Sequence, residues 1–106
     1  MTDKELLELA AKAACVEVER LDDYTLTHPC GREWNPLTDD GDALRLAVKL
    51  EIDIYWADDD GLEAYAGYNL AGKQRRMYAV VPVKDDTYAA TRRAIVRAAA
   101  EIGRTK

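Results

Sequence analysis

Apolar residues recur at helical spacing from the start of the chain: Leu6, Leu9, Ala10 and Ala13 fall at i, i+3, i+4 and i+7, a single stripe. Thr2 and Glu5 stand where a capping box places them. A helix over Asp3 to Ala14 follows. After it the pattern weakens. Val16-Glu17-Val18-Glu19 alternates like a short strand, and Tyr24-Thr25-Leu26-Thr27 is a second weak strand segment. His28-Pro29-Cys30-Gly31 has proline second and glycine fourth, the signature of a type I turn. Residues 16–37 are expected to be irregular, with one small hairpin.

Helical spacing returns after Pro36. Thr38 or Asp39 can cap a second helix, and Asp39, Asp40 and Asp42 lie where a helix dipole favours carboxylates. Ala43, Leu46, Ala47 and Leu50 form its expected buried stripe, widened by Leu44 and Val48. Period-two alternation then takes over. In 51–56, Ile52, Ile54 and Trp56 share one face, and Glu51, Asp53 and Tyr55 the other. A turn at Asp58-Asp59-Asp60-Gly61 leads to a strand in which Leu62, Ala64, Ala66 and Tyr68 oppose Glu63, Tyr65 and Gly67. A second turn, Asn69-Leu70-Ala71-Gly72, precedes an apolar strand over about 75–83. Pro82 has no N–H to give, so it belongs at an edge or an end. Asp85 or Asp86 caps a last helix from Thr87 to Ile102, closed by Gly103. Its stripe is Tyr88, Ile95, Ala99 and Ile102, with Ala90, Ala94 and Ala98 small enough for close approach to a sheet.

These elements predict an α+β fold in the order α-(β)-α-β-β-β-α, a small antiparallel sheet of three to four strands covered by three helices. The 106 residues suit a single domain. No apolar run reaches the length of a membrane span, and the polar start at Thr2-Asp3-Lys4-Glu5 is unlike a secretory signal. A cytoplasmic protein is expected, with Cys15 and Cys30 reduced.

Charge divides the chain. Residues 1–70 carry six Lys/Arg against seventeen Asp/Glu, a net of −11, while 71–106 carry nine against three, a net of +6. In one small domain the two segments are expected to pack together and neutralise each other. The sequence pI of about 4.8 runs against sequence-independent nucleic-acid binding. The acidic surface suits a partner with basic patches.

Candidate chemistry is sparse. One histidine and two cysteines fall short of a zinc ligand set. The acidic runs at 39–42 and 58–60 lack the spacing of a calcium loop. There is no serine, and Cys30 with His28 has no group to orient the imidazole. Gly72-Lys73-Gln74-Arg75-Arg76 is no phosphate loop, although Lys73, Arg75 and Arg76 can grip an anion. Arg92, Arg93, Arg97 and Arg104 would join these cations in one patch if the last helix packs beside the last strand. No catalytic residue, metal ligand or cofactor motif is assigned.

Two segments carry a resemblance. The stretch Trp34-Asn35-Pro36-Leu37-Thr38-Asp39-Asp40-Gly41-Asp42-Ala43-Leu44-Arg45-Leu46-Ala47-Val48-Lys49-Leu50 resembles a recurrent stretch in small proteins of tailed phages and prophages. So does 88–103, from Tyr88-Ala89-Ala90-Thr91-Arg92-Arg93 to Glu101-Ile102-Gly103. With the first helix, the chain looks like the phage alpha-beta-alpha sandwich domain family. The segments 16–32 and 51–84 are less like that pattern, and no active-site residue is carried over.

The resemblance implies a phage-encoded, non-enzymatic accessory protein in the host cytoplasm, acting by binding a host protein or a small anionic ligand. Counter-defence is its concrete form. A small enzyme on nucleotides or nucleic acid, and a homo-oligomeric assembly protein, are the alternatives. Trp34, Tyr55 and Tyr65 are the aromatic contact candidates. Lys73, Arg75, Arg76, Arg93 and Arg97 are the anion candidates.

Overall fold

Helix α1 (Asp3–Ala14) forms where its spacing places it. The Glu5 N–H donates to Thr2 Oγ1 at 3.2 Å, and the Thr2 hydroxyl donates in turn to Glu5 Oε1 at 3.1 Å. Cys15 closes the helix in the left-handed region at φ 56, and the Val16 N–H returns to the Ala11 carbonyl at 3.0 Å. This is the Schellman stop, built on a residue other than glycine. A computed structural model describes residues 1–22, 25–58, 61–70, 72 and 75–106.

The irregular region holds more order than one hairpin. Strands β1 (Glu19–Arg20), β2 (Leu26–Thr27) and β3 (Glu33–Trp34) pair antiparallel in chain order as a miniature sheet. The Gly31 N–H donates to the His28 carbonyl at 2.8 Å across the expected turn, with Gly31 at φ 93. Two-residue strands carry too little alternation to be read from sequence.

Helix α2 (Asp40–Lys49) is capped by Asp39, which accepts from the Asp42 N–H at 2.8 Å. Asp42 is not a solvated dipole carboxylate. It is 2% exposed and accepts from the Asn35 N–H at 3.0 Å and from Arg45 at 2.7 Å, tying the loop before α2 to the helix. Ala43, Leu46 and Ala47 are buried as expected, but Leu44 and Val48 are 60% and 70% exposed. Helix α2 packs on its neighbours along one flank only, and these two residues lie off it.

Strands β4 (Asp53–Asp58), β5 (Leu62–Tyr68) and β6 (Met77–Pro82) form the main sheet, antiparallel in the order β4-β5-β6. Tyr55 pairs with Tyr65, and Tyr65 with Val80. Of the turns expected here, Gly61 (φ 117) and Gly72 (φ 79) have the positive φ. Asp59, Asp60 and Ala71 lie outside the described residues. Pro82 ends β6, an edge strand, where its missing N–H costs no ladder bond.

Helix α3 (Thr87–Arg104) is the centre of the fold, packed against α1, α2, β5 and β6. Ala90, Ala94, Ala98 and Ala99 are buried in it, and Ala64, Ala66, Ala79 and Val81 are buried on the sheet. Asp86 caps it, accepting from the Ala89 N–H at 3.1 Å. Gly103 does not stop the helix. It lies within it, pressed against the backbone of Leu9. Tyr88, expected on the buried stripe, is 71% exposed because it sits in the first turn, beyond the covered part of the sheet. The architecture is α+β, with three helices and two small antiparallel sheets. The charge division resolves as expected: Arg76 pairs with Asp53, Arg92 with Asp40 (2.6 Å) and Arg93 with Asp3 (2.8 Å), each joining the cationic segment to the acidic one.

Candidate anion-binding site

Register puts Tyr68 on the helix-facing side of β5, at the strand's end, opposite Met77. Tyr68 is 5% exposed, and its hydroxyl has no hydrogen-bond partner among the described residues. It lines a cavity of ≈560 Å³ between β6, α3 and the start of α1, together with Tyr78, Arg93, Arg97, Glu101 and Arg104. No buried side-chain N or O atom among the described residues lacks a partner, so the Tyr68 hydroxyl is reached from the cavity and is not sealed in the core.

Helix geometry explains the convergence of the cations. Residues 93, 97, 101 and 104 are separated by four, four and three positions, so they share one face of α3. Arg93 is held by Asp3, and Arg104 by Glu101 at 3.0 Å. Among the described residues Arg97 has no carboxylate partner, and it donates to the Val80 carbonyl at 3.3 Å. Three guanidinium groups face one lining carboxylate, an excess of positive charge on a protein of net −5. Burial raises the Tyr68 phenol above its ordinary value; Glu101 adds to the rise and Arg97 opposes it. The phenol therefore stays protonated and able to donate. A protonated phenol, a guanidinium held only by a backbone carbonyl and concave walls suit a small oxyanion.

The opposite face of the sheet is uncovered and aromatic. Tyr55 stacks on Tyr65 with ring centres 4.7 Å apart, and Tyr78 meets Tyr55 edge-on at 6.0 Å. Gly67, between them in the register, leaves a gap through which Arg76 reaches Asp53, the Gly67 carbonyl (2.9 Å) and the Glu51 carbonyl (3.2 Å). Tyr78 borders both the aromatic face and the arginine cavity.

The sequence-derived candidates thus separate. Tyr55 and Tyr65 come together, with Arg76 committed beside them. Arg93 and Arg97 come together at the cavity. Arg75 is exposed, apart from both groups and without a partner among the described residues. Trp34 is corrected: at 4% exposure it is part of the core, because β3 turns its side chain under the helices, and it presents no contact surface. Lys73 lies outside the described residues. The single cationic patch does not form, since Arg92 turns to Asp40 and the Leu37 carbonyl, and Arg76 to the far face of the sheet.

Tyr68 is not foreseen from the sequence, whereas Arg104 is grouped there with Arg92, Arg93 and Arg97 but placed past the end of the helix. Tyr68 has the spacing of an ordinary core residue. Arg104 stands beyond a glycine that reads as a helix stop, and only the continuation of α3 brings it onto the face of Arg93 and Arg97.

Among the described residues, no group of three or more His, Cys, Asp or Glu is placed to hold a metal ion, and no helix is long and apolar enough to cross a membrane. Cys15 and Cys30 are free thiols, both exposed. Compared with family models, curated proteins and solved structures, the chain matches none of them.

Proposed function

We propose that this protein is a non-enzymatic binding protein whose ligand is a small phosphorylated molecule held in the arginine cavity of α3. The observation that carries this reading is that the largely buried Tyr68 turns a hydroxyl without a protein partner into the cavity that Arg97 also lines, a guanidinium with no carboxylate partner among the described residues. An anion there would accept from both, and a guanidinium binds a phosphate group through two parallel hydrogen bonds. Tyr78, half exposed at the mouth, offers a ring to any planar part of the same ligand. Among the described residues the cavity is lined by one carboxylate, Glu101, and it is bound to Arg104. That commitment leaves it poorly placed as a general base, which favours binding over catalysis.

The phage origin and the setting in a host cytoplasm rest on the resemblance of residues 34–50 and 88–103. In that setting, sequestering a phosphorylated signal is the form of counter-defence that the cavity suits. The test is to recover the tagged protein from a bacterial lysate, denature it, and identify released small molecules by mass spectrometry. A phosphorylated compound released from the wild type and absent from Arg97→Gln is the expected result. Equal release from both proteins, or release from neither, contradicts the reading.

A further inference from the structure

The two edges of the main sheet are finished differently. The β6 edge ends in Pro82, and Arg97 occupies its Val80 carbonyl, both of which discourage pairing with another strand. The β4 edge has neither device. It is six residues long, contains no lysine or proline, and pairs only with β5 among the described residues. Beside it lies an apolar groove of ≈640 Å³ between β4, α2 and the first half of α3, lined by Leu44, Ile54, Trp56, Tyr88 and Ile95. Trp56 is 50% exposed there, its ring fixed by a 2.9 Å hydrogen bond from Nε1 to Thr91 Oγ1.

We infer that the β4 edge and this groove together form a docking site for an extended, cationic segment of a partner protein. An added strand would satisfy the free backbone groups of β4. Alternate side chains would point to the helix side, where the groove takes apolar residues against Trp56 and Leu44. Charge selects the partner. Asp58 follows Trp56 on the same face of β4, exposed and with no cationic partner among the described residues, while Asp40 at the groove wall is held by Arg92, which lines the groove beside it. A second copy of this chain would bring net −5 to net −5 and the same acidic strand to itself, whereas lysines and arginines flanking an apolar residue are attracted. This site lies apart from the arginine cavity and does not depend on it.

The test titrates the full chain with short peptides of alternating lysine and valine, glutamate and valine, or serine and valine. Trp56 shielding from acrylamide and amide exchange of β4 are the readouts, with sedimentation of the free protein alongside. The expected result is a monomer that binds the lysine peptide alone, with slowed β4 exchange and binding that weakens as salt rises. Trp56→Ala should weaken that binding about tenfold or more, as expected for an aromatic anchor. Asp58→Asn, at an exposed position that leaves the fold intact, should weaken it by a smaller factor. Three results overturn the inference: no binding of the lysine peptide, equal binding of the serine or glutamate peptide, or a free dimer with β4 already protected.

Discussion

Gly103 of α3 lies against the main chain of Leu9 in α1, so close that a β-carbon at 103 would stand 2.8 Å from the Leu9 carbonyl carbon and nearer still to its oxygen. The two helices approach through the one residue type that permits it. Gly103→Ala would gain about 1 kcal/mol of helix propensity, but the clash is with backbone and overpacking of this kind costs about 1–3 kcal/mol or more. The clash should win. The expected outcome is a lower urea midpoint and a Tm reduced by several degrees, followed by circular dichroism; an unchanged or raised midpoint would refute this packing.

Gly67 is a second glycine set by a neighbour, and here the neighbour is a side chain. A β-carbon at 67 would lie 2.9 Å from Arg76 Nε and closer to Asp53 Oδ1. Gly67→Ala is expected to displace the Arg76–Asp53 pair from the sheet face and free Arg76. The pair is partly exposed, so the direct loss should be at most about 1 kcal/mol. Arg76→Ala in the Gly67→Ala background should then cost less than Arg76→Ala alone, and a double-mutant cycle in urea measures the difference.

Asp42 is a charge buried in the core, the one found there among the described residues, and its removal should cost more than any exposed ion pair. Asp42→Ala strands the Asn35 N–H and removes the acceptor of Arg45. Leaving a buried donor unsatisfied costs about 1–3 kcal/mol. Asp42→Asn keeps one acceptor oxygen and should cost less than Asp42→Ala. Chemical denaturation of the two variants checks the order, and equal losses would show that the Asn35 bond contributes nothing.

Much of this fold was legible in the sequence because its long elements obey one period each. The span of α1, the β5 alternation and an aspartate cap on α3, left open between Asp85 and Asp86, follow from local spacing and capping chemistry. What escaped was decided by tertiary packing. Gly103 reads as a stop because glycine usually ends helices; the helix runs one residue past it, and the close crossing of α1 explains why no side chain stands there. Leu44 and Val48 read as buried because spacing cannot say how wide a helix face its neighbours cover. Trp34 and Tyr68 exchange the roles their types suggest, one absorbed by the core and one left with a hydroxyl facing a cavity. The site was half visible through Arg93 and Arg97. Its remaining parts depend on where α3 ends and which strand end it overlies.

Alkaline pH should expose the tyrosine environments. Burial, then Tyr78 and Asp53, raise the Tyr55 phenol, and burial, then Glu101, raise that of Tyr68, from an ordinary value of 10.0. The folded chain holds these protons more tightly than the unfolded chain. The associated stability is fully present below pH 10.0 and is lost as pH rises through the folded values. Ultraviolet titration should therefore show a late-ionising group of phenols, diminished in Tyr68→Phe, and urea midpoints should fall above that pH. Simultaneous ionisation of all the tyrosines in the folded chain would contradict the burial of Tyr68.

The binding reading stands or falls at Arg97 and Tyr68. Isothermal titration of inorganic phosphate, nucleoside monophosphates and nucleoside diphosphates into the wild type, Arg97→Gln and Tyr68→Phe measures it directly. Saturable binding to the wild type is expected, weakened about tenfold or more in Arg97→Gln by loss of a charge-assisted pair, and severalfold, about 1 kcal/mol, in Tyr68→Phe. Absence of saturable binding across the whole panel, or equal affinity in the wild type and Arg97→Gln, would contradict it.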